Sequence, residues 1–206
     1  MTKSGSNKII KTERLCLRPY NKEDLNAYAE IMGDHEVGKW FPKGTGYTHE
    51  EAEKSLDSIL KHWDNHGFGI WAMTDKKRGS LLGRCGLNLI TETSEVELDF
   101  VVARSFWGRG YATEAAKAAL AYGFDVIGLG RIIALAKPEN ISSRRVIEKT
   151  GMRYIKNAEY WALPVRTIAS QGASSFANEN SGNLRAAILN TDCAFTTALS
   201  SVQFFV

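Results

Sequence analysis

The stretch "FWGRGYATEA" (106–115) sets two glycines two apart, with an arginine between them, ahead of a run suited to helix. A helix start exposes backbone N–H groups that have no partner inside the helix. Glycines just before it let another molecule approach those groups closely. Together these make an anion site, and the first suspicion is a phosphate. Which phosphate depends on the surrounding chain.

In front of the glycines, "EVELDFVV" (95–102) alternates Val96, Leu98, Phe100 and Val102 with Glu95, Glu97 and Asp99, the pattern of a strand. Behind them a helix is expected from about Thr113 to Phe124, burying Ala116, Ala119, Leu120 and Phe124. "RIIALA" (131–136) reads as a strand and Pro138 breaks the chain. A second helix runs from about Ser142 to Thr150 and stops at Gly151, a natural left-handed cap. The strand, crossover helix and strand over 95–136 form a right-handed βαβ unit.

Toward the N-terminus, "RLCLRP" (14–19) is a strand stopped by Pro19. Asn21 with Asp24, and Thr48 with Glu51, have capping-box spacing ahead of two amphipathic helices. The stretch 33–47 between them, with Trp40 and Phe41 at its centre, reads as a glycine-rich loop. "FGIWAMT" (68–74) and "SLLGRCGLNLI" (80–90) read as an antiparallel pair, and "MRYIKN" begins a late strand. "LPVRTIAS" (163–170) is the candidate for its partner, although Pro164 suits only the start of a strand or an edge. The fold expected is α/β (α+β), a mixed and mostly antiparallel sheet flanked by helices.

The motif is neither a dinucleotide fingerprint nor a Walker loop. Thr113 stands at the third glycine position, and no Gly-Lys-Ser/Thr follows. Three ordered stretches, "TERLCLRP" (12–19), "VELDFVVARSFWGRGYATEA" (96–115) and "PENISSRRVIEKTGMRY" (138–154), resemble the GCN5-related N-acetyltransferase (GNAT) superfamily. Within it they look like the ribosomal-protein-alanine acetyltransferase branch, over about residues 10 to 160.

The resemblance implies acetyl-CoA as co-substrate and a primary amine as acceptor; the scattered cysteines argue against a zinc site, and no metal is expected. Residues Trp107, Gly108, Arg109, Gly110, Tyr111, Ala112 and Thr113 match the pyrophosphate loop, whose amides form a nest at the helix start. Arg109 and Thr113 add side-chain contacts in this reading; a solvated arginine and a plain helix cap are the simpler alternatives. The family often carries Gln or Arg where Trp107 stands, so one charged contact is missing. Asn140 matches a residue that holds the pantetheine arm, with a turn former after Pro138 as the plainer reading.

Acyl transfer needs a neutral amine, and so a base. Glu97 matches the position of the family's catalytic glutamate. Asp99, on the same strand face, is the second candidate for base or else shapes the acceptor pocket. A wet strand face is the alternative for both. The oxyanion of the tetrahedral intermediate needs an N–H donor, which the family takes from the entering strand, here near Val101. Many members protonate the leaving thiolate with a tyrosine, but Ile147 occupies that position. Ser143, at Asn-x-x-Ser spacing, fits the acid of the ribosomal-protein branch, unless Ser142 and Ser143 are only helix caps. His62 and His66 have metal-pair spacing without a third ligand pattern, so a wet helix face is expected. For Trp40 and Phe41, core packing competes with bordering the acceptor.

The bulk numbers fit this reading. The chain has 206 residues, 44% hydrophobic and 24% charged, with net charge +3. That suits one domain with a real core and points to neither nucleic acid nor a membrane surface. Cys16, Cys85 and Cys193 are scattered, which fits a reducing cytoplasm. The organisation expected is a polar extension (1–9), an acetyltransferase domain (10–170) and an atypical tail (171–206). From residue 162 on, the only charges are Arg166, Glu179, Arg185 and Asp192, and the chain ends on apolar "SVQFFV". The tail is either an appended arm or a segment foreign to the domain, and a homodimer stays open. An acyl-CoA-binding module without turnover is the competing function.

Overall fold

The computed structural model describes residues 8–160 and 163–171. Its strands are β1 (Ile10–Lys11), β2 (Leu15–Pro19), β3 (Ile70–Asp75), β4 (Leu81–Ile90), β5 (Glu95–Val102), β6 (Arg131–Ala136), β7 (Arg153–Tyr160) and β8 (Leu163–Gln171). They form one sheet in the order β1-β2-β3-β4-β5-β6-β8-β7. Every neighbouring pair is antiparallel except β5 with β6. The mixed, mostly antiparallel sheet expected from the sequence is the one found.

The helices are α1 (Leu25–Gly33), α2 (His35–Gly38), α3 (His49–His66), α4 (Tyr111–Ala121) and α5 (Ile141–Lys149). Both capping boxes form: Asn21 with Asp24 closes a short 3-10 turn leading into α1, and Thr48 with Glu51 caps α3. The expected loop 33–47 instead contains α2. Asp34 Oδ1 accepts the amides of Glu36 and Val37, which is enough to wind one turn. The helix expected from Thr113 starts two residues earlier and passes at Tyr122–Ile127 into a wide π-turn. Gly123 lies within that turn, and a Cβ there would stand 2.7 Å from Ile132 Cδ1 and 2.8 Å from Leu87 Cδ1. Only glycine lets the turn seat this closely on the sheet.

β4 and β5 pair Arg84 with Val101, Gly86 with Asp99 and Asn88 with Glu97, while Cys85 and Leu87 stand opposite Phe100 and Leu98. Alternation therefore gives two faces. Tyr122, just after α4, packs its ring edge-on to Trp71, which pairs with Cys85, on the Phe100 face. On the other face Arg84 reaches Tyr28 of α1, and Tyr28 reaches Ser55 of α3. β8 lies inside the sheet, yet Pro164 is tolerated: pairing with β6 begins only at Arg166, so β8 has β7 alone as neighbour there. β8 ends at Gln171, and the tail expected over 171–206 lies outside the described residues from residue 172 on. Among the described residues no helix is long and apolar enough to cross a membrane.

Candidate active site

The parallel strands β5 and β6 share one registered pair, Glu97 with Ile133. Beyond it β5 stays with β4 as far as Val102–Gly83, and β6 stays with β8 as far as Ala136–Arg166. The facing edges of β5 and β6 past Glu97 form no ladder with each other, so the sheet forks. β5 leads into the glycine loop and α4, and β6 leads into Asn140 and α5. In open sheets a crevice beyond the carboxyl ends of parallel strands is where ligands bind.

At the mouth of β5, Gly108 and Gly110 adopt φ of 73° and 80°, the left-handed region that glycine enters without penalty. A Cβ at Gly108 would meet nothing within 4 Å, and one at Gly110 would meet only Arg14 Nη2 at 3.5 Å. The loop is thus open to a ligand. The first bond of α4 runs from Glu114 N–H to the Gly110 carbonyl, so the amides of Tyr111, Ala112 and Thr113 precede the helical ladder. Thr113 is the third helical residue, not the cap; Gly110 is the cap. Trp107 donates its indole N–H to the Val102 carbonyl at 2.7 Å and leaves much of its ring exposed. The exposed Arg109 side chain lies over Phe106, 5.5 Å from the ring centre. An open loop of free amides, joined to a fork in the sheet, fits the diphosphate and pantetheine arm of acetyl-CoA.

Asn140 caps α5: its side-chain oxygen accepts the Ser143 amide at 3.1 Å. Ser142 and Ser143 are therefore not the caps. Both Asn140 and Ser143 are buried, and so is Ile147, one turn beyond Ser143.

The wet strand face, the alternative for Glu97 and Asp99, does not hold, since each is 1% exposed. Asp99 accepts from Arg84 Nε at 2.9 Å and Arg84 Nη2 at 2.7 Å. Arg84 also donates to Tyr28 Oη at 2.9 Å, and Tyr28 pairs with Ser55 at 2.8 Å. Gly86 stands opposite Asp99, and a Cβ there would lie 2.4 Å from the Gly69 carbonyl oxygen, so a close approach of the neighbouring backbone requires glycine at this position. Burial lifts the Asp99 carboxyl above its usual range, and Arg84 limits the rise. Burial alone would lower Arg84, but Asp99 and the nearby tyrosines hold it well above its ordinary value. Glu97 is different: neither carboxyl oxygen has a hydrogen-bond partner. Burial, then the negative charge of Asp99, push it well above the ordinary carboxyl range, against the pull of Arg84.

A cleft of about 190 Å³ lies between α3 and this face, with Ser55, His62, Arg84, Asn88 and Asp99 among its walls. His62 is no wet-face residue. Its Nδ1–H donates to the Phe68 carbonyl at 2.9 Å and its Nε2 accepts the Leu89 amide at 3.0 Å. Burial lowers its pKa to about 4, so it is a neutral brace. Among the described residues no cluster of three metal-ligating side chains occurs. Phe41 is core, packed on Tyr47, whereas Trp40 stays half-buried at the surface under Lys39.

Three residues that bear on the site were missed in the sequence. Arg84 is the one charge inside "LLGRCG", which was a signal in itself. Lys137, after β6, donates to the Phe41 carbonyl at 2.7 Å and ties the aromatic loop to the fork. Arg14 grips the glycine loop from 95 residues away.

The comparisons agree with this architecture. The model of the acetyltransferase (GNAT) domain family matches residues 14–153. The Bacillus subtilis N-acetyltransferase YnaD is 35% identical over 144 residues, 70% of this chain and 82% of that protein. Bacillus subtilis YkkB is 41% identical over 102 residues; the match spans 48% of this chain and only 59% of that protein. A GNAT-family acetyltransferase from Bacillus anthracis superposes with a TM-score of 0.69 at 28% identity, covering 79% of this chain and 98% of that one.

Proposed function

Because the chain belongs to the GNAT acetyltransferase family, and is thereby an acetyl-CoA-dependent acetyltransferase, we propose that its acceptor is a protein N-terminal amine or a small primary amine, with Glu97 as general base. The observation that carries the reading is the carboxyl of Glu97, buried and without a partner beside the fork. A buried carboxyl with no partner is costly to keep, which marks it as functional rather than structural.

The acetyl donor supplies an activated thioester; the chain's own residues orient it and manage protons. The amides of residues 108–113 hold the diphosphate, Asn140 lies along the pantetheine arm, and an amide near Val101 receives the oxyanion. Glu97 takes the proton from the attacking amine, directly or through one water. Its raised proton affinity makes it a stronger base once ionised. Ser143 returns a proton to the leaving thiolate in place of the tyrosine that Ile147 replaces. Asp99 has both oxygens bonded to Arg84, so its role is to shape the acceptor side rather than to abstract a proton. Free thiols at Cys16 and Cys85 suit a reducing cytoplasm as the place of action.

At pH 7 an α-amino group is neutral about one time in ten, and a lysine-like amine about once in a few thousand. An N-terminal peptide is therefore expected to outrun its lysine counterpart. CoA release measured across a panel of peptides, polyamines and small amines, with mass spectrometry of the products, tests this. An acetylated α-amine supports the reading. Acetyl-CoA binding without turnover on any amine would make the chain a binding module instead.

A further inference from the structure

Two sequence motifs about a hundred residues apart meet at the glycine loop. Glu114, in the first turn of α4, takes four donors from the β1–β2 turn. Its Oε1 accepts from Thr12 Oγ1 at 2.6 Å and from the Arg14 amide at 2.9 Å. Its Oε2 accepts from Arg14 Nε at 2.7 Å and Arg14 Nη2 at 2.7 Å. The remaining arm of the guanidinium, Nη1, donates to the Arg109 carbonyl at 2.8 Å. The guanidinium carbon also sits 4.5 Å from the centre of the Tyr111 ring, a cation–π distance.

This arrangement has two consequences for an anion at the loop. The peptide joining Arg109 to Gly110 is planar and trans, so its C=O and N–H point in opposite directions. Drawing the Arg109 carbonyl toward Arg14 turns the Gly110 N–H away from the β1–β2 turn, into the open side of the loop. With left-handed glycines on both sides of Arg109, this peptide would otherwise flip easily. The second consequence is electrostatic. A carboxylate in the first turn of a helix is favoured by the helix dipole but repels any other anion drawn to the same end. Arg14 cancels that charge on the spot. Burial pushes the Glu114 carboxyl up, but its bonds to Thr12 and Arg14 outweigh this and hold it below the usual range, so Glu114 is a carboxylate at neutral pH.

We propose that Arg14 is a positioning residue of the acetyl-CoA diphosphate loop: it fixes the Arg109–Gly110 peptide with its N–H outward and neutralises Glu114, without itself touching the acetyl donor. The proposal rests on reading residues 107–113 as the diphosphate site. In this chain "TERL" thus supplies the clamp that holds "GYATEA".

The test compares Arg14→Ala, Arg14→Lys and Gly110→Val by calorimetry with two ligands, CoA and S-acetylpantetheine, which lacks the diphosphate. Arg14→Ala should weaken CoA by about tenfold or more, some 1.4 kcal/mol, with pantetheine affinity little changed. The KM for acetyl-CoA should rise by a similar factor, while kcat falls by less. Lysine keeps the charge but lacks the rigid fork that reaches Glu114 and Arg109 together, so Arg14→Lys should show the same diphosphate-only loss in smaller measure. It also carries the test if the alanine variant does not fold. Wild-type CoA affinity in both Arg14 variants, or equal loss of CoA and pantetheine, overturns the proposal; equal loss would mean a plain structural staple. Gly110→Val separates the two layers. If it leaves CoA affinity intact, the loop is not the diphosphate site. If it abolishes CoA binding while Arg14→Ala does not, only the clamp fails.

Discussion

Arg84→Met probes the buried pair beneath the proposed base. The side chains of Arg84 and Asp99 are each 2% exposed and are joined by two hydrogen bonds. Methionine fills similar volume but leaves Asp99 with no counter-charge in a dry site. Breaking a buried pair from one side costs about 3–5 kcal/mol. For a domain of this size each kcal/mol moves Tm by about 2–4 °C, so Tm should fall by roughly 6–20 °C. The loss should depend on pH. Without Arg84 the folded-state pKa of Asp99 lies further above its unfolded value. The variant then holds its remaining stability below the unfolded carboxyl pKa and loses more as pH rises through the folded one. Thermal melts by circular dichroism at pH 5 and pH 8 should therefore show the larger deficit at pH 8. Adding Asp99→Asn removes the stranded charge and should recover part of the loss, a coupling of about 0.5–3 kcal/mol. A Tm within 2 °C of wild type at both pH values, or no recovery in the double variant, would refute the reasoning.

The same logic reverses for Glu97. Its raised carboxyl resists ionisation, so the fold is fully stable below the unfolded carboxyl pKa and loses stability as pH rises through the folded one; Glu97→Gln should melt higher than wild type, by a margin that grows with pH, and an unchanged Tm at pH 8 would show the carboxyl to be unstrained. Asn140→Ala removes the cap of α5 and should lower stability by about 1 kcal/mol, whereas Ser143→Ala should leave the melt alone and slow only turnover; equal melts for the two variants would contradict the capping geometry. A chain ending after Gln171 keeps the eight strands of the described residues and is expected to bind acetyl-CoA and to be more soluble than the full chain. Loss of binding on truncation would make residues 172–206 part of the domain.

Local chemistry was the legible part of this sequence. The capping boxes at Asn21 and Thr48, the glycine loop before α4 and the strand over 163–170 each depend on residues close together in the chain. The burial of the β5 acids was not legible. Alternation told which face Glu97 and Asp99 share, but not that Tyr28 of α1 and Ser55 of α3 back Arg84 on that face. Arg84 lies diagonal to Asp99 across Gly86, a relation visible only once the β4–β5 register is known. His62 misled for a similar reason, because its partners Phe68 and Leu89 are backbone groups of other segments. Asp34 was readable in principle: an aspartate two residues before Glu36 offers an Asx-type cap inside a stretch otherwise rich in glycine.

The pH dependence of acetyl transfer in wild type and Glu97→Gln, at saturating acetyl-CoA and with an N-terminal peptide as acceptor, tests the central claim most directly. Glu97 as base predicts a wild-type rate that rises through an acidic limb displaced above the ordinary carboxyl range. The variant should lose that limb, with kcat lowered about 10²–10⁴-fold and acetyl-CoA affinity nearly intact. A variant that keeps the wild-type rate and the wild-type limb would contradict it, and would hand proton removal to bulk water.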